Sequence, residues 1–458
     1  MTVEATIEET QKQEDIVSEE NAQMIPENEE NVSEKTRNED DELKPVLVEK
    51  SSSYREESNF LSDLKENERK ALSELKSMLE EAILGKTLLV DSQSGENSEE
   101  KPVNEDEIDG KIVENDQNVS IWGVPLLPSK CSEGTDVILL KFLRAREFKP
   151  NDAFEMLKKT LIWREKFKVG SNSDEELTAS LANAAYMKGI DRENHPVCYN
   201  NLGVFGNESL YQKTFGNDEK RDRFLRWRIE LMEKGIEKLD FRASGVTSIL
   251  QIYDLKNCPG PSKKEIRTAT FKAISLLQDN YPELVAKNVL INVPFWYYAF
   301  YSLISPFLTQ RSKSKFVVAR PAKVTETLLN YIPFEEIPIQ YGGLKRENDL
   351  EFGGEENGSV SEIVLKPGSV ETIEIPALEV GKTLIWDFAV LGVEVSYKEE
   401  FIPTDEGSYT IIIQKDKKME SLDKPVRNSF RNNEVGKVVI TINNQSKKKK
   451  RAFYRYKN

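Results

Sequence analysis

Residues 288–319 read NVLINVPFWYYAFYSLISPFLTQRSKSKFVVA, and the rest of the chain is organised around them. Val289–Asn292 is a short apolar run bounded by Pro294, the pattern of a buried strand. Phe295–Leu308 carries aromatic and aliphatic side chains on every face of a helical wheel, so such a helix must be buried or lie against lipid. It falls well short of the roughly 20 residues that cross a bilayer. Lys315–Val318 returns as a second strand. Two readings of the helix stand at this point, an ordinary core helix and a movable wall over an apolar cavity.

Working outward towards the N-terminus, the grammar alternates between strands and helices. Pro196–Asn201 and Thr247–Asp254 read as strands, and Arg221–Asp240 and Lys263–Asn280 as helices. A last helix near Val324–Tyr331 follows the opening unit, and the whole reads as an α/β domain with a mixed or parallel sheet. Upstream, Thr135 or Asp136 caps a helix, TDVILLKFLRAREF, whose apolar face is Ile138, Leu139, Phe142 and Leu143. Arg146 falls at the centre of that face, with Lys141 and Arg144 pointing the opposite way. A cation there needs either a buried carboxylate or an anionic ligand, since burial without a partner is very costly. Phe154–Phe167 is a second helix, with Trp163 and Phe167 inward.

Phe60–Leu84 places Leu64, Leu72, Leu75, Leu79 and Ile83 at helical spacing and ends at Gly85, an amphipathic helix that packs against the downstream domain. Its polar face is mixed and acidic, unlike a Lys/Arg-rich interfacial helix. Residues 1–59 and 86–118 are rich in Glu, Asn, Ser and Asp and read as a disordered tail and an acidic linker. The formal charge of −15 concentrates in these first 118 residues, which argues against nucleic acid as the main partner. After Arg346 a polar, Gly-rich link precedes about seven short strands from Ser361 to Tyr456, the pattern of a β-sandwich. Its last turn carries Lys447, Lys448, Lys449, Lys450 and Arg451.

Cys131, Cys198 and Cys258 show neither metal-ligand nor disulfide-framework spacing, which fits a reducing compartment. No secretory signal or membrane span is visible, so the expectation is a cytoplasmic chain that visits membranes peripherally. Catalysis finds no support: His195, beside Pro196, reads as a turn or core residue, and no nucleophile set, phosphate-binding loop or metal constellation is present.

LLKFLRAREF, DLKN, DNYPE and INVPF…PFLTQRSKSKF, in that order, resemble the CRAL-TRIO lipid-transfer family over about Asn67–Gly343. The part after Glu351 resembles a GOLD domain, and the order acidic tail, CRAL-TRIO, GOLD is similar to the plant patellins. SIWGVPLLPSK and KKKKRAFYRYK fit that family closely. The resemblance implies an amphipathic helix (60–85) and a helical lobe (119–170) over a sheet-floored lipid-binding domain (171–345), then an all-β GOLD sandwich (350–458). It turns Phe295–Leu308 into a gate, with Phe295, Trp296, Tyr298, Phe300, Leu303, Ile304 and Phe307 against the lipid. It also implies that Arg146, Glu283 and Lys315, with Ser312 beside them, hold a phosphatidylinositol or phosphoinositide headgroup. Guanidinium offers paired donors to a phosphodiester, and a carboxylate accepts bonds from inositol hydroxyls. Choline-lipid binders carry hydroxyl residues where this chain has Ile249 and Gln251. The implied function is to transfer or present a phosphoinositide in vesicle traffic, including cell-plate formation in cell division, with one phospholipid as ligand and no other cofactor. Lys447–Arg451 would touch anionic membrane. The alternative is an adaptor whose GOLD domain and acidic tail recruit trafficking proteins.

Overall fold

A computed structural model describes residues 52, 54–89, 119–130, 132–170, 174–260, 263–294, 297, 308–353, 359–392, 395–419 and 424–457. Most of the acidic tail, the linker 90–118 and the gate residues Phe295, Trp296, Tyr298, Phe300, Leu303, Ile304 and Phe307 lie outside the described residues.

The helical lobe opens with α1 (Glu66–Leu84), whose Leu72, Leu75, Leu79 and Ile83 are buried against the helices that follow. Glu68 accepts the backbone N–H of Lys65 at its start, and the N–H of Gly85 closes its end on Glu81 O at 2.8 Å. A two-residue hairpin joins β1 (Ser120–Ile121) to β2 (Val124–Pro125). Its turn residues Trp122 and Gly123 have φ of 50° and 76°, the left-handed pair that such a tight turn needs. That turn projects the Trp122 ring into a stack with Phe142, Phe241 and Tyr281, at 6.2, 6.1 and 6.1 Å between centroids.

Next come α2 (Ser132–Ala145), α3 (Pro150–Phe167) and α4 (Glu175–Ser180). α2 starts three residues earlier than expected, and Thr135 and Asp136 do not cap it. Thr135 donates to Pro125 O at 2.9 Å and Asp136 pairs with Lys76 at 2.6 Å, so both tie α2 to its neighbours.

The second lobe holds a five-stranded sheet in the order β3 (Ala185–Ile190), β4 (Pro196–Asn201), β5 (Ile249–Asp254), β6 (Val285–Ile291), β7 (Phe316–Val318). Only the β3–β4 pair is antiparallel. Its helices are α5 (Glu208–Phe215), α6 (Asp218–Ile236), α7 (Lys264–Asn280), α8 (Gln310–Ser314) and α9 (Val324–Leu329). Gly235 lets α6 approach the sheet: a Cβ there would sit 2.7 Å from Ile249 Cδ1. The DLKN stretch works structurally, because Asp254 accepts from the N–H of Lys256 at 2.9 Å and from the Asn292 side chain at 2.7 Å. The helical lobe is fastened to this domain by Arg164, which forks onto Glu233 at 2.5 and 3.0 Å while Tyr281 donates to the same carboxylate at 2.5 Å.

The C-terminal part is a sandwich of two four-stranded antiparallel sheets. One runs β13 (Val426–Arg431), β10 (Thr383–Leu391), β15 (Lys450–Lys457), β8 (Ser361–Leu365); the other β12 (Ile411–Met419), β11 (Val395–Pro403), β14 (Gly436–Asn444), β9 (Val370–Ala377). The eighth strand, β13, was not expected. Its sequence VRNSFR is polar because it is an edge strand paired on one side only. The sandwich is locked to the α/β domain. Asp387, fully buried, is held by Arg427 and Arg455, Asp349 joins both arginines, and Phe334 stacks on Phe453 at 4.1 Å.

Candidate functional site

The site forms where α2, the start of β6 and α8 meet. Tyr281-Pro282 ends α7, and Glu283 turns back with φ of +54°. Its carboxylate accepts from Lys315 Nζ at 2.8 Å and from Arg311 Nε at 2.6 Å. Lys315, buried at the C-cap of α8, donates as well to Val285 O at 2.8 Å. Burial alone would raise the Glu283 carboxyl, but Lys315 and Arg311 outweigh it and hold it down at about 2. Ser312 faces the same cavity one turn before Lys315, its N–H bonded to Thr309 Oγ1 at 3.0 Å.

Of the four expected headgroup residues, Glu283 and Lys315 are therefore in contact and Ser312 is beside them. Arg146 is not with them. α2 ends at Ala145, and Glu147 and Phe148 take left-handed φ of 53° and 57°, so the helical wheel does not extend to position 146. Arg146 is half-buried at the cavity mouth, bonded to Ala145 O at 3.1 Å. The buried cations of α2 are Lys141 (2% exposed) and Arg144 (8%), both expected to point outward. From Gly134 to Arg144 every residue of α2 is buried, so its polar positions there are inside too. Lys141 donates to Glu283 O at 2.8 Å, and burial pulls its ammonium down to about 7.

A second correction concerns residues 54–59, expected to be part of the disordered tail. They lie across these cations. Tyr54 sits under Lys315 and Arg311, at 4.7 and 5.5 Å from its ring centre, and its hydroxyl donates to Glu283 at 3.3 Å. Glu57 pairs with Arg144 Nε at 2.9 Å and accepts both Arg311 Nη atoms, at 2.9 and 3.0 Å. Asn59 Oδ1 and Ser58 O accept from Arg144 at 2.7 and 2.6 Å. Glu56 accepts from Ser248 at 2.5 Å and meets His195 Nε2 at 2.7 Å. The other imidazole nitrogen of His195 is 2.8 Å from Asp191. Composition of residues 54–59 alone carries no sign of this docking, because every partner is distant in sequence.

Among the described residues, Glu56, Glu193 and His195 are the acidic and imidazole groups close enough to share a metal ion. Both His195 nitrogens already face carboxylates, so the arrangement reads as an ion-pair cluster.

Behind Glu283 and Lys315 opens a cavity of about 680 Å³ between the sheet and helices α6 and α7, within the usual range for small-ligand sites. Phe224, Trp227, Ile249, Ile274, Leu277 and Leu290 give it apolar walls. One polar patch interrupts them: Arg228 donates to Asn200 Oδ1 at 2.6 Å, and Asn200 donates to Gln251 Oε1 at 2.9 Å. Ile249 and Gln251 thus both line the cavity, with an amide and a guanidinium close by. The result is an apolar chamber with a cationic, hydrogen-bonding mouth.

On the sandwich, Lys447, Lys448 and Lys449 are exposed at the β14–β15 turn, whereas Lys450 and Arg451 lie within β15. Arg451 is paired with Glu362 at 2.6 and 2.8 Å, so it is a sheet residue rather than part of the tip. Asn444 bonds both Lys366 O and Lys448 O, at 2.9 Å each, which brings exposed Lys366 to the same end. Lys418 joins it through the register Ser396↔Lys418 and Ser396↔Asn443.

Sequence profiles match three stretches: the CRAL/TRIO N-terminal domain at residues 71–159, the CRAL/TRIO domain at 182–343, and the Patellin-1-like C-terminal GOLD domain at 366–450. Patellin-4 of Arabidopsis thaliana is 49% identical over 543 residues, covering 100% of this chain and 99% of its own length. Patellin-3 of the same plant is 46% identical over 420 residues, 91% of this chain and 80% of its own. The phosphatidylinositol transfer protein SFH5 of Kluyveromyces lactis is 30% identical over 253 residues, 53% of this chain and 80% of its own.

Proposed function

The chain belongs to the patellin family, and on that premise we propose that it binds phosphatidylinositol or a phosphoinositide in its α/β domain and transfers or presents it at membranes. One observation carries the reading: an apolar cavity of about 680 Å³ has the Glu283–Lys315 pair and Arg311 at its mouth. Acyl chains fit the apolar walls, which exclude water, and the cations answer the phosphodiester. Glu283, kept ionised by its neighbours, accepts from inositol hydroxyls. The name of the yeast relative, a phosphatidylinositol transfer protein, agrees with this chemistry.

No helix among the described residues is long and apolar enough to cross a membrane, so contact is peripheral in this reading. Lys366, Lys418, Lys447, Lys448 and Lys449 form the face that meets anionic lipid, each contributing on the order of 1 kcal/mol near such a surface. The gate role expected of Phe295–Leu308 belongs to this reading, with opening against a bilayer because only there is its apolar surface tolerable. The place of use is vesicle traffic, cell-plate formation included.

The test is mass spectrometry of lipids retained by the purified full chain, beside Lys315→Ala/Glu283→Ala. Phosphatidylinositol in the parent and its loss in the double variant is the expected result. A different lipid class, retained equally by both, would refute the headgroup assignment while leaving the cavity in place.

A further inference from the structure

Arg144 is 8% exposed, and among the described residues each hydrogen bond and ion pair of its side chain goes to residues 57–59. Arg311 likewise gives its two Nη atoms to the Glu57 carboxylate in a paired fork, at 2.9 and 3.0 Å. A paired fork on two oxygens is also how guanidinium binds phosphate. Lys141, 2% exposed, has among the described residues no side-chain carboxylate bonded to it, only the carbonyl of Glu283. With residues 54–59 removed, these three cations and Lys315 would stand around Glu283 with too few anions, at the mouth of the apolar cavity. Burying such charges without partners is strongly unfavourable.

The occupant is correspondingly easy to displace. Glu56 and Glu57 are on the outer side of the cluster, with side chains 30% and 46% exposed. No hydrophobic anchor from residues 54–59 enters the buried core. Tyr54 is held by cation–π contacts and by bonds to Glu283 and Arg311, all of which a phosphate would contest.

We propose that Lys141, Arg144 and Arg311 form an anion site for phosphate groups of an inositol lipid, and that residues 54–59 are its tethered occupant, expelled when the headgroup enters. This deepens the phosphoinositide reading and rests on it. Glu57 stands where a phosphate would be gripped by Arg144 and Arg311 together, and Glu56 keeps the segment registered through His195 and Ser248. Apparent affinity is then the intrinsic affinity reduced by the fraction of molecules with the segment out. The shared chemistry is an inositol phosphate, free in solution or as a lipid headgroup.

The experiment uses the full chain and Glu56→Gln/Glu57→Gln. Trypsin cleavage after Arg55, an exposed position, reports release of the segment. Co-sedimentation with phosphatidylcholine vesicles containing phosphatidylinositol 4-phosphate reports binding, and a parallel arm uses soluble inositol 1,4-bisphosphate. The parent chain should be cut after Arg55 faster as ligand is added. The variant should be cut rapidly without ligand and bind the vesicles about tenfold more tightly, as removing a nine-tenths closed state predicts. Release by the bisphosphate assigns recognition to the polar head alone; release only by vesicles adds the acyl chains; both outcomes support the proposal. Vesicle binding with unchanged cleavage, or a variant that binds no better than the parent, would overturn it and leave the phosphoinositide reading standing. Absence of binding by parent and variant alike would overturn both.

Discussion

The chain contains one histidine, which makes the docking of the N-terminal segment measurable at a single imidazole. His195 is 4% exposed, so burial by itself would lower its pKa. The carboxylates of Asp191 at 2.8 Å and Glu56 at 2.7 Å outweigh burial and raise it from 6.5 to about 9. At about 1.4 kcal/mol for each tenfold change, that rise is worth on the order of 3 kcal/mol. Because the folded value is raised, this contribution is fully present below pH 6.5 and is lost as pH climbs through about 9. Glu193 stands farther off, at 3.9 Å on the exposed side. Glu56→Gln replaces a charge acceptor with a neutral amide while leaving Asp191 in place, so the imidazole should titrate about one unit lower. Proton NMR of the imidazole C–H against pH, in the parent, Glu56→Gln and Asp191→Asn, reads this without assignment ambiguity. An imidazole that titrates near 6.5 in the parent, or does not respond to Glu56→Gln, would refute both the ion-pair cluster and the docking of residues 54–59.

Ala273 lies on the cavity-facing side of α7 among the lining residues, so Ala273→Trp should cut retained lipid severalfold, at an overpacking cost of about 1–3 kcal/mol; lipid extraction and a thermal melt on one sample check both. Asp387, fully buried between Arg427 and Arg455, leaves both arginines to share Asp349 alone on Asp387→Ala, and calorimetry should show the sandwich weakened by about 3 kcal/mol. Lys447→Gln/Lys448→Gln/Lys449→Gln should weaken binding to phosphatidylserine vesicles by up to about 3 kcal/mol at low salt, and most of the difference should vanish at about 1 M salt. A loss that persists at high salt would argue against an electrostatic contact.

The fold was largely legible in the sequence because its signals are local. The strands Pro196–Asn201 and Ile249–Asp254 announce themselves through the short apolar runs Pro196–Tyr199 and Ile249–Tyr253, the latter broken by Gln251, and α1 through its 3.6-residue stripe. The edge strand β13 was not legible, since a strand paired on one side and half solvated need not be apolar. The site divides along the same line. Glu283 and Lys315 carry motif signals, and the structure places them 2.8 Å apart. Arg144 and Lys141 were assigned to solvent because a helical wheel assumes one wet face, whereas α2 has none between Gly134 and Arg144. A wheel also assumes that the helix continues, and it ends one residue before Arg146.

The tail before Asn59 shows why composition misleads at such a place. A segment poor in apolar residues cannot pay its ordering entropy by burial, and by that criterion residues 54–59 should stay loose. They are ordered by cations instead: Arg144, the α8 pair Arg311 and Lys315, and His195 belong to three separate parts of the chain and meet only after the lobes pack. Order acquired in this way depends on charge, not on core contacts, so it is the kind of order that another anion can undo. The chemistry that hides the segment from sequence reading is therefore the same chemistry that lets a phosphate compete with it. A buried arginine whose partners among the described residues all sit on a displaceable strand of chain is better understood as a site with an occupant than as a finished salt bridge.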